Sequence, residues 1–292
     1  MLLRLFYHLK PLIPRKLQIL MRRYRARRIW QSIGGDCLPV DPVAETAFVW
    51  PEPYRAAAII THDVETDVGQ ANIHALREIE DGFGLKSCWN FVVRRYAPDE
   101  ALMRRLADDG HEIGVHGVYH DGKLFSSPQV FKERLRIIEG AARRWDSAGF
   151  RCPSLVRDEQ LLRTLDMSWD SSVPSWDPFQ PVPGGCRRYV PFMLNERCVE
   201  LPVTLWQDFT LFEELELKSI EIWRKQIDFV YASGGLVNAI VHPDYMLSTE
   251  RLGYFRELTE HLLSKDSLWI TTPSHIADWV REQNAVDGEA GA

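Results

Sequence analysis

Ala-Ala-Ile-Ile-Thr-His-Asp-Val-Glu-Thr-Asp, residues 57–67, is the stretch that decides the fold. Its apolar first half predicts a buried β-strand, and polar residues begin where that strand ends. Because side chains alternate along a strand, Asp63 and Glu65 lie on one face, with His62 and Val64 on the other. Two adjacent carboxylates raise the pKa of one of them unless a cation lies nearby. The stretch therefore predicts either a metal ligand beside a general base or a pair of solvated acids at a loop entrance.

Short apolar runs alternate with longer helical stretches along the rest of the chain. Strands are predicted at 57–61, 87–93, 112–115, 150–151, 167–170, 199–203, 236–241 and 268–271. Helices are predicted at 70–80, 100–108, 128–145, 159–165, 217–233 and 249–264. This alternation indicates a parallel sheet, open or closed into a barrel. We favour the barrel, because no Gly-x-Gly-x-x-Gly turn follows the first strand and the reactive side chains fall just after strands.

The charge distribution separates an N-terminal arm from the rest of the chain. The net charge is −6, yet residues 1–30 contain nine basic residues and no acidic one. The acidic remainder argues against nucleic acid as a partner, and the arm is a candidate for contact with an anionic membrane surface or a partner protein. A helix after Pro14 would either lie at such an interface or pack against the outside of the domain. The apolar runs of the arm are too short to span a bilayer.

We divide the chain into three parts: a basic, partly helical arm at 1–50, a barrel at 51–283 and a flexible tail at 284–292. A chain of 292 residues buries enough surface to fold without disulfides or a structural metal. The five cysteines are odd in number and form no Cys-x-x-Cys pair, which favours a reducing compartment. No cleavage site of a secretory signal follows the arm. We therefore expect a cytoplasmic protein whose arm allows peripheral contact with a membrane.

Three further segments carry reactive side chains. Residues 110–121 place His116 and His120 four apart, and if this stretch is helical both imidazoles lie on one side. Two histidines and one carboxylate have the composition of a hydrolytic metal site. Arg151 follows a strand, where its guanidinium holds a carboxylate or braces a loop. His242 follows a long apolar strand and is either a general acid or a structural histidine.

In this order, the segments resemble the NodB-homology polysaccharide deacetylases, carbohydrate esterase family 4, over about residues 55–280. The acidic motif of that family is usually Thr-Phe-Asp-Asp. Val64 stands here at the second Asp, so the chain looks more like the branch with Asp-x-Asp or Asp-x-Glu. The other matching motifs are His116-Gly-Val-Tyr-His120, Arg151-Cys-Pro, Asp170-Ser-Ser, Glu200-Leu-Pro and His242-Pro.

The resemblance implies a distorted (β/α) barrel with seven or eight parallel strands, and a hydrolase that removes N-acetyl groups from a glycan or glycan precursor. It assigns a divalent metal, expected to be zinc, to Glu65, His116 and His120, and the catalysis to the base Asp63, the bracing Arg151 and the acid His242. Substrate contacts are expected from Tyr119, Asp170, Trp176 and Asp244. Two alternatives stay open: a related C–N hydrolase of a small cyclic amide, and an inert barrel that binds a glycan or a partner.

Overall fold

The computed structural model describes residues 13–38 and 48–290. Parts of the predicted arm (1–12 and 39–47) and the last two residues of the predicted tail lie outside the described residues. Within the described ranges, no helix is both long and apolar enough to cross a membrane.

Nine strands form one sheet in the described part of the chain. They are β1 (Ala56–Val64), β2 (Cys88–Phe91), β3 (Glu112–Val115), β4 (Gly149–Phe150), β5 (Trp169–Asp170), β6 (Phe192–Met193), β7 (Val199–Glu200), β8 (Leu236–Ile240) and β9 (Leu268–Thr271). Eight of them pair in parallel, and β6 alone is antiparallel, to β7. The predicted set of seven or eight parallel strands is confirmed. β6 was not predicted, because two residues give no readable pattern.

The strand order is β6-β7-β5-β4-β3-β2-β1-β8, and β9 also pairs with β1. No regular ladder joins the two ends of this order in the described residues. Instead the segment after β7 reaches β8, where the backbone N–H of Leu205 donates to Asn238 O at 3.3 Å. The side-chain amide of Asn238 donates in turn to Leu201 O at 3.0 Å. The sheet therefore curls into a distorted barrel that irregular chain completes.

Eight α-helices flank the sheet in the described residues: α1 (Arg15–Ser32), α2 (Asp67–Gly82), α3 (Glu100–Asp108), α4 (Pro128–Trp145), α5 (Glu159–Leu162), α6 (Glu221–Ala232), α7 (Thr249–Leu263) and α8 (Pro273–Ala290). Five begin at a side chain that accepts a backbone N–H of the first turn, which satisfies a donor the helix cannot pair itself: Thr66, Asp99, Ser127, Asp158 and Ser248. A π-helix spans Phe209–Glu214. α8 continues past residue 284, where we predicted a flexible tail, and the flexibility stays a prediction.

β1 is buried along its whole length, because apolar groups cover both of its faces. Ala57 and Ile59 belong to the apolar cluster enclosed by the curl of the sheet, together with Trp169. Ala58 and Ile60 belong to the larger cluster between sheet and helices. Because side chains alternate along a strand, Asp63 lies on the same face as Ala57 and Ile59, so it points into the barrel at the carboxyl end of the strand.

α1 packs against the π-helix through ion pairs. Arg23 Nη1 lies 2.7 Å from Glu216 Oε1, and Arg27 Nη2 lies 2.5 Å from Glu216 Oε2. Arg22 Nη1 lies 3.6 Å from Glu214 Oε1. The arm is thus helical after Pro14, and this helix packs against the outside of the domain, which was one of the two expectations for it. Its basic residues meet the acidic residues of the barrel there.

Candidate functional site

The reactive side chains meet at the carboxyl ends of the parallel strands. Asp63 lies near the end of β1, and Glu65 follows that strand directly. His116 follows β3, Arg151 follows β4, and His242 comes two residues after β8. Because the carboxyl ends of parallel strands open at one end of a barrel, residues far apart in sequence are brought together there.

Asp63 has one carboxylate oxygen held and the other directed at the histidines. Its Oδ1 accepts the Asn90 amide at 2.8 Å and lies 3.3 Å from Arg151 Nη1. Its Oδ2 lies 3.8 Å from His116 Nε2 and 3.9 Å from His242 Nε2. Burial alone would raise the pKa of Asp63, but His116, Arg151 and His242 outweigh it and lower the pKa to about 2. The carboxylate is therefore ionised at neutral pH, with Oδ2 available to accept a proton.

Arg151 is fully buried, and its guanidinium fixes the orientation of the Asp63 carboxylate. Its Nε donates to Ser171 O at 2.9 Å, and its Nη2 donates to Ser171 Oγ at 2.7 Å. Its Nη1 donates to Thr61 Oγ1 at 2.5 Å and to Asp63 Oδ1. A planar guanidinium held at several points has one orientation, so it holds the carboxylate in one orientation too.

Glu65, His116 and His120 form the one group in the described residues that could hold a metal ion. One ligand atom from each lies within 4.8 Å of the others. His120 Nε2 lies 2.8 Å from Glu65 Oε1, and His116 Nδ1 lies 3.1 Å from Arg151 O. The buried Nε2 of His116 has no hydrogen-bond partner within the described ranges. Burial lowers the pKa of His116 to about 4, so its imidazole is neutral and its Nε2 lone pair is free to bind an ion.

The two histidines are not brought together by a helix, so the condition under which their four-residue spacing alone would align them is not met. Residues 116–120 form an irregular loop in which Gly117 and His120 have positive φ values of 66° and 52°. A Cβ on Gly117 would lie 2.8 Å from the ring of Pro153, so this position favours glycine for space as well as for conformation. The loop turns His120 back toward Glu65, which is how the pair reaches one point.

Asp244 holds the loop that carries Glu65. Its Oδ2 accepts the backbone N–H of Glu65 at 2.9 Å, and its Oδ1 accepts the hydroxyl of Thr66. The hydroxyl of Tyr245 donates to Glu65 Oε2 at 3.2 Å. Asp244 is not part of the cavity wall described below, and these contacts give it a positioning role, while a substrate contact there stays a prediction.

His242 is paired with Asp208, a residue that the sequence analysis did not identify. Asp208 Oδ1 lies 2.5 Å from His242 Nδ1, and its Oδ2 accepts the backbone N–H of His242 at 2.7 Å. Burial disfavours the charged imidazole, but Asp208, Glu65 and Asp63 outweigh it and raise the pKa of His242 to about 10. The imidazole is therefore protonated, with Nε2 directed at both Asp63 and Glu65. The only sequence signal for Asp208 was its place after the 199–203 strand.

The other expected substrate contacts also lie outside the cavity. Asp170 is fully buried, and its Oδ1 accepts the hydroxyl of Ser172 at 2.6 Å. Burial raises the pKa of Asp170 to about 6, although its hydrogen bonds with Glu200 and Ser172 oppose the rise. Trp176 packs on Trp206 with ring centroids 5.5 Å apart. Asp170 is therefore corrected to a core residue, whereas Trp176 is half-buried and its contact with substrate stays a prediction.

Tyr119 is 40% exposed but likewise does not line the cavity. Its ring contacts Arg134, whose Cζ lies 5.1 Å from the ring centroid.

A cavity of about 270 Å³ opens above Asp63, Glu65, His120 and His242. Its walls come from parts of the chain to which the motifs gave no role. α1 contributes Arg22 and Arg25, the 174–198 segment contributes Phe179 and Gln180, and the π-helix contributes Phe209, Thr210 and Glu214. Arg25 Nη2 donates to Gln180 O at 3.0 Å, so the arm and the segment close the wall together. The arm is therefore part of the candidate site and not only an outer layer.

No family model matches this sequence, and no curated protein matches it. Solved structures do. A Mycobacterium smegmatis protein described as a polysaccharide deacetylase has a TM-score of 0.64 at 21% identity, over 85% of this chain and 96% of that one. A Pseudomonas aeruginosa PAO1 protein described in the same way has a TM-score of 0.63 at 14% identity, over 84% and 99%.

The chain has the fold of the polysaccharide deacetylases. The expected NodB-like distorted barrel is confirmed. A third structure, the Puue allantoinase, has a TM-score of 0.65 at 14% identity, over 82% of this chain and 96% of that one. The polysaccharide deacetylase fold is thus shared with a protein described as an allantoinase. The fold alone therefore does not distinguish these two activities, and the geometry of the site must do so.

Proposed function

We propose that the protein is a metal-dependent hydrolase that removes N-acetyl groups from a glycan or glycan precursor. The observation that carries the proposal is the placement of an ionised Asp63 and a protonated His242 next to the group that could hold a metal ion. His242 Nε2 lies 3.9 Å from Asp63 Oδ2 and 3.9 Å from Glu65 Oε1. A proton acceptor and a proton donor thus face the same point, which is what hydrolysis of an amide needs.

The donor set fits a divalent ion, and zinc in particular. Two neutral imidazoles and one carboxylate are the ligands of hydrolytic zinc sites, and the unpaired Nε2 of His116 is directed at the group. The nearby residues already hold Glu65 and His116 in place through Asp244 and the backbone of Arg151. When bound there, a divalent ion supplies Lewis-acid chemistry: it polarises an acyl carbonyl and lowers the pKa of water.

Asp63 acts as the general base in the proposed reaction. Its Oδ2 takes a proton from the attacking water as the new C–O bond forms, while Asn90 and Arg151 keep Oδ1 occupied. Because both of these neighbours donate to the carboxylate, they favour its ionised form and fix which oxygen receives the proton.

His242 acts as the general acid. Asp208 accepts a hydrogen bond from the Nδ1–H group of His242, so the proton on Nε2 faces the cavity. His242 gives that proton to the leaving nitrogen as the C–N bond breaks, and the products are acetate and an amino sugar. The backbone bond from His242 to Asp208 keeps the pair together during the transfer.

Hydrolysis of a small cyclic amide or ureide is the second candidate. The likeness to an allantoinase favours it, and the same base and acid would serve. α1 and the 174–198 segment narrow the cavity to about 270 Å³, which suits a small ring or a chain end more than the middle of a long polymer.

We propose a reducing, cytoplasmic location for either reaction. None of the five cysteines forms a disulfide in the described part of the chain, and four of them are buried.

The test combines metal content with acetate release from N-acetylglucosamine oligomers and ring opening of a cyclic ureide. The wild-type protein should carry near-stoichiometric metal and release acetate, and Glu65→Ala and His116→Ala should lose both. His74→Ala is the matched control, because His74 is exposed on α2 and should change neither.

Turnover of the ureide alone would select the second candidate. Metal without turnover of either substrate would select the inert binding barrel. A protein that takes up neither zinc nor cobalt would refute the metal site itself.

A further inference from the structure

α1 has a basic face turned toward the barrel. Arg22 and Arg23 face Glu214 and Glu216 of the π-helix region, and Arg25 donates to backbone carbonyls of the 174–198 segment. Ala26 on the same helix is fully buried. In most surface helices the apolar face packs inward and the charged face meets water. Here charged side chains hold the helix to the domain together with Ile29 and Trp30, which pack against the apolar core.

The opposite face of α1 is apolar and exposed. Leu17, Leu20, Met21 and Tyr24, hereafter the outer stripe, recur at helical spacing over two turns. Their exposed fractions are 47%, 62%, 48% and 65%. The described residues contain ten large hydrophobic side chains that are exposed, and four of them lie on this one helix. Single exposed hydrophobic residues are ordinary, but a contiguous stripe of them marks an interaction surface.

Positive charge surrounds the outer stripe. Lys16 and Arg28 are exposed at its two ends, and α1 contains no acidic residue. The sequence that leads into α1 continues this composition, with Leu2, Leu3, Leu5 and Phe6 beside Arg4 and Lys10. Apolar side chains flanked by lysine and arginine complement a bilayer surface, where acyl chains lie beneath anionic headgroups.

We infer that α1 docks the protein on an anionic lipid surface, with the outer stripe inserted at the boundary between headgroups and acyl chains. The inference does not depend on the proposed reaction. The helix that docks also contributes Arg22 and Arg25 to the cavity wall, so the site is held next to the surface.

Flotation of the full-length protein with lipid vesicles tests the inference. The probes are phosphatidylcholine vesicles with and without phosphatidylglycerol, at low and high salt. Wild-type protein should bind the anionic vesicles, and less so at high salt because exposed charges are screened. L20E/M21E should lower the vesicle partition coefficient at least about tenfold, because two apolar side chains no longer enter the bilayer.

Two variants make the result specific. L20S/M21S removes apolar surface without adding charge, so it separates lost insertion from electrostatic repulsion and should also weaken binding. Leu263→Glu is the matched control, because Leu263 is 43% exposed at the end of α7, and it should bind like wild type. Thermal unfolding shows whether each variant is folded.

Loss of binding in both stripe variants, with retention in Leu263→Glu, supports the inference. It is overturned if wild-type protein ignores anionic vesicles, binds pure phosphatidylcholine equally well, or binds as strongly after L20E/M21E. It is also overturned if sedimentation velocity shows a wild-type dimer that L20E/M21E dissociates without any vesicle binding. The outer stripe would then be a contact between two copies of this chain.

Discussion

Replacing Asp208 with Asn tests whether His242 is a proton donor that depends on a buried carboxylate. Asp208 contacts His242 at two points, at Nδ1 and at the backbone N–H. Asparagine keeps the size of the side chain but carries no charge, and its one amide oxygen can accept the backbone N–H of His242 while its NH2 group faces Nδ1. D208N therefore removes the electrostatic contribution and leaves most of the packing.

The size of the effect follows from the pKa of His242. It is about 10 in the presence of Asp208, against an ordinary value of 6.5, and burial alone would lower it further. A fall from 10 toward 6.5 removes ~5 kcal/mol of stabilisation from the imidazolium. At pH 8, a histidine of pKa 6.5 is protonated in about 3% of molecules, which predicts roughly 30-fold slower turnover if His242 is the acid.

Two assays follow the change. NMR titration of the imidazole nitrogens in metal-free protein reports the pKa of His242 directly, without any substrate. The pH dependence of kcat for acetate release should show an alkaline limb that moves to lower pH in D208N. Asp228→Asn is the matched control, since it removes an exposed carboxylate 2.8 Å from His261 and should leave the titration of His242 unchanged. An unaltered His242 titration in D208N would refute the electrostatic account, and an altered titration with an unaltered kcat profile would refute the role as acid.

Three further predictions concern other parts of the molecule. Asp63→Asn should retain metal and lower kcat by about 100-fold or more, because the base is lost while the metal ligands stay. Loss of metal in elemental analysis would show that the base and the metal ligand were assigned wrongly. Gly69→Ala should weaken metal binding ~10–100-fold in a chelator competition. A Cβ at Gly69 would lie 2.0 Å from Asp244 Oδ2 and would displace the carboxylate that holds Glu65. Unchanged metal affinity would contradict that role for Asp244. Burial raises the pKa of Asp177 from 3.8 to about 6, so the folded state holds this proton more tightly and wild-type stability falls as pH rises between these values. Urea unfolding of Asp177→Asn should therefore show a gain over wild type that grows by up to about 3 kcal/mol between pH 4 and pH 7, and a gain that does not vary with pH would contradict the shift.

Local periodicity predicted the strands and helices well. The eight predicted strands correspond to β1–β5 and β7–β9, and the predictions for 100–108 and 128–145 agree with α3 and α4. Such patterns are readable because burial of one face requires apolar residues at the spacing of the element. The conformation of 116–120 could not be predicted from spacing in this way. A four-residue spacing between histidines suggests a helix, whereas the loop depends on Gly117, His120 and contact with Pro153.

The residues of the candidate site that follow strands were predicted from the sequence. Those that lie in irregular segments or in the outer helix α1 were missed. Asp63, Glu65, His116, Arg151 and His242 all follow or end strands, and sheet topology brings such positions together.

Asp208 reaches His242 across 34 positions of sequence, and Arg25 reaches Gln180 across 155. Neither contact leaves a local pattern, because each depends on where an irregular segment or an outer helix packs. The amino-acid sequence by itself determined the alternating strands and helices and the reactive groups at the strand ends, since both follow from spacing along the chain, and its resemblance to a family implied the distorted barrel. The proton partner of His242, the cavity wall and the exposed stripe of α1 were decided only by the tertiary structure, because each is a relation between surfaces that the chain brings together after its strands have formed.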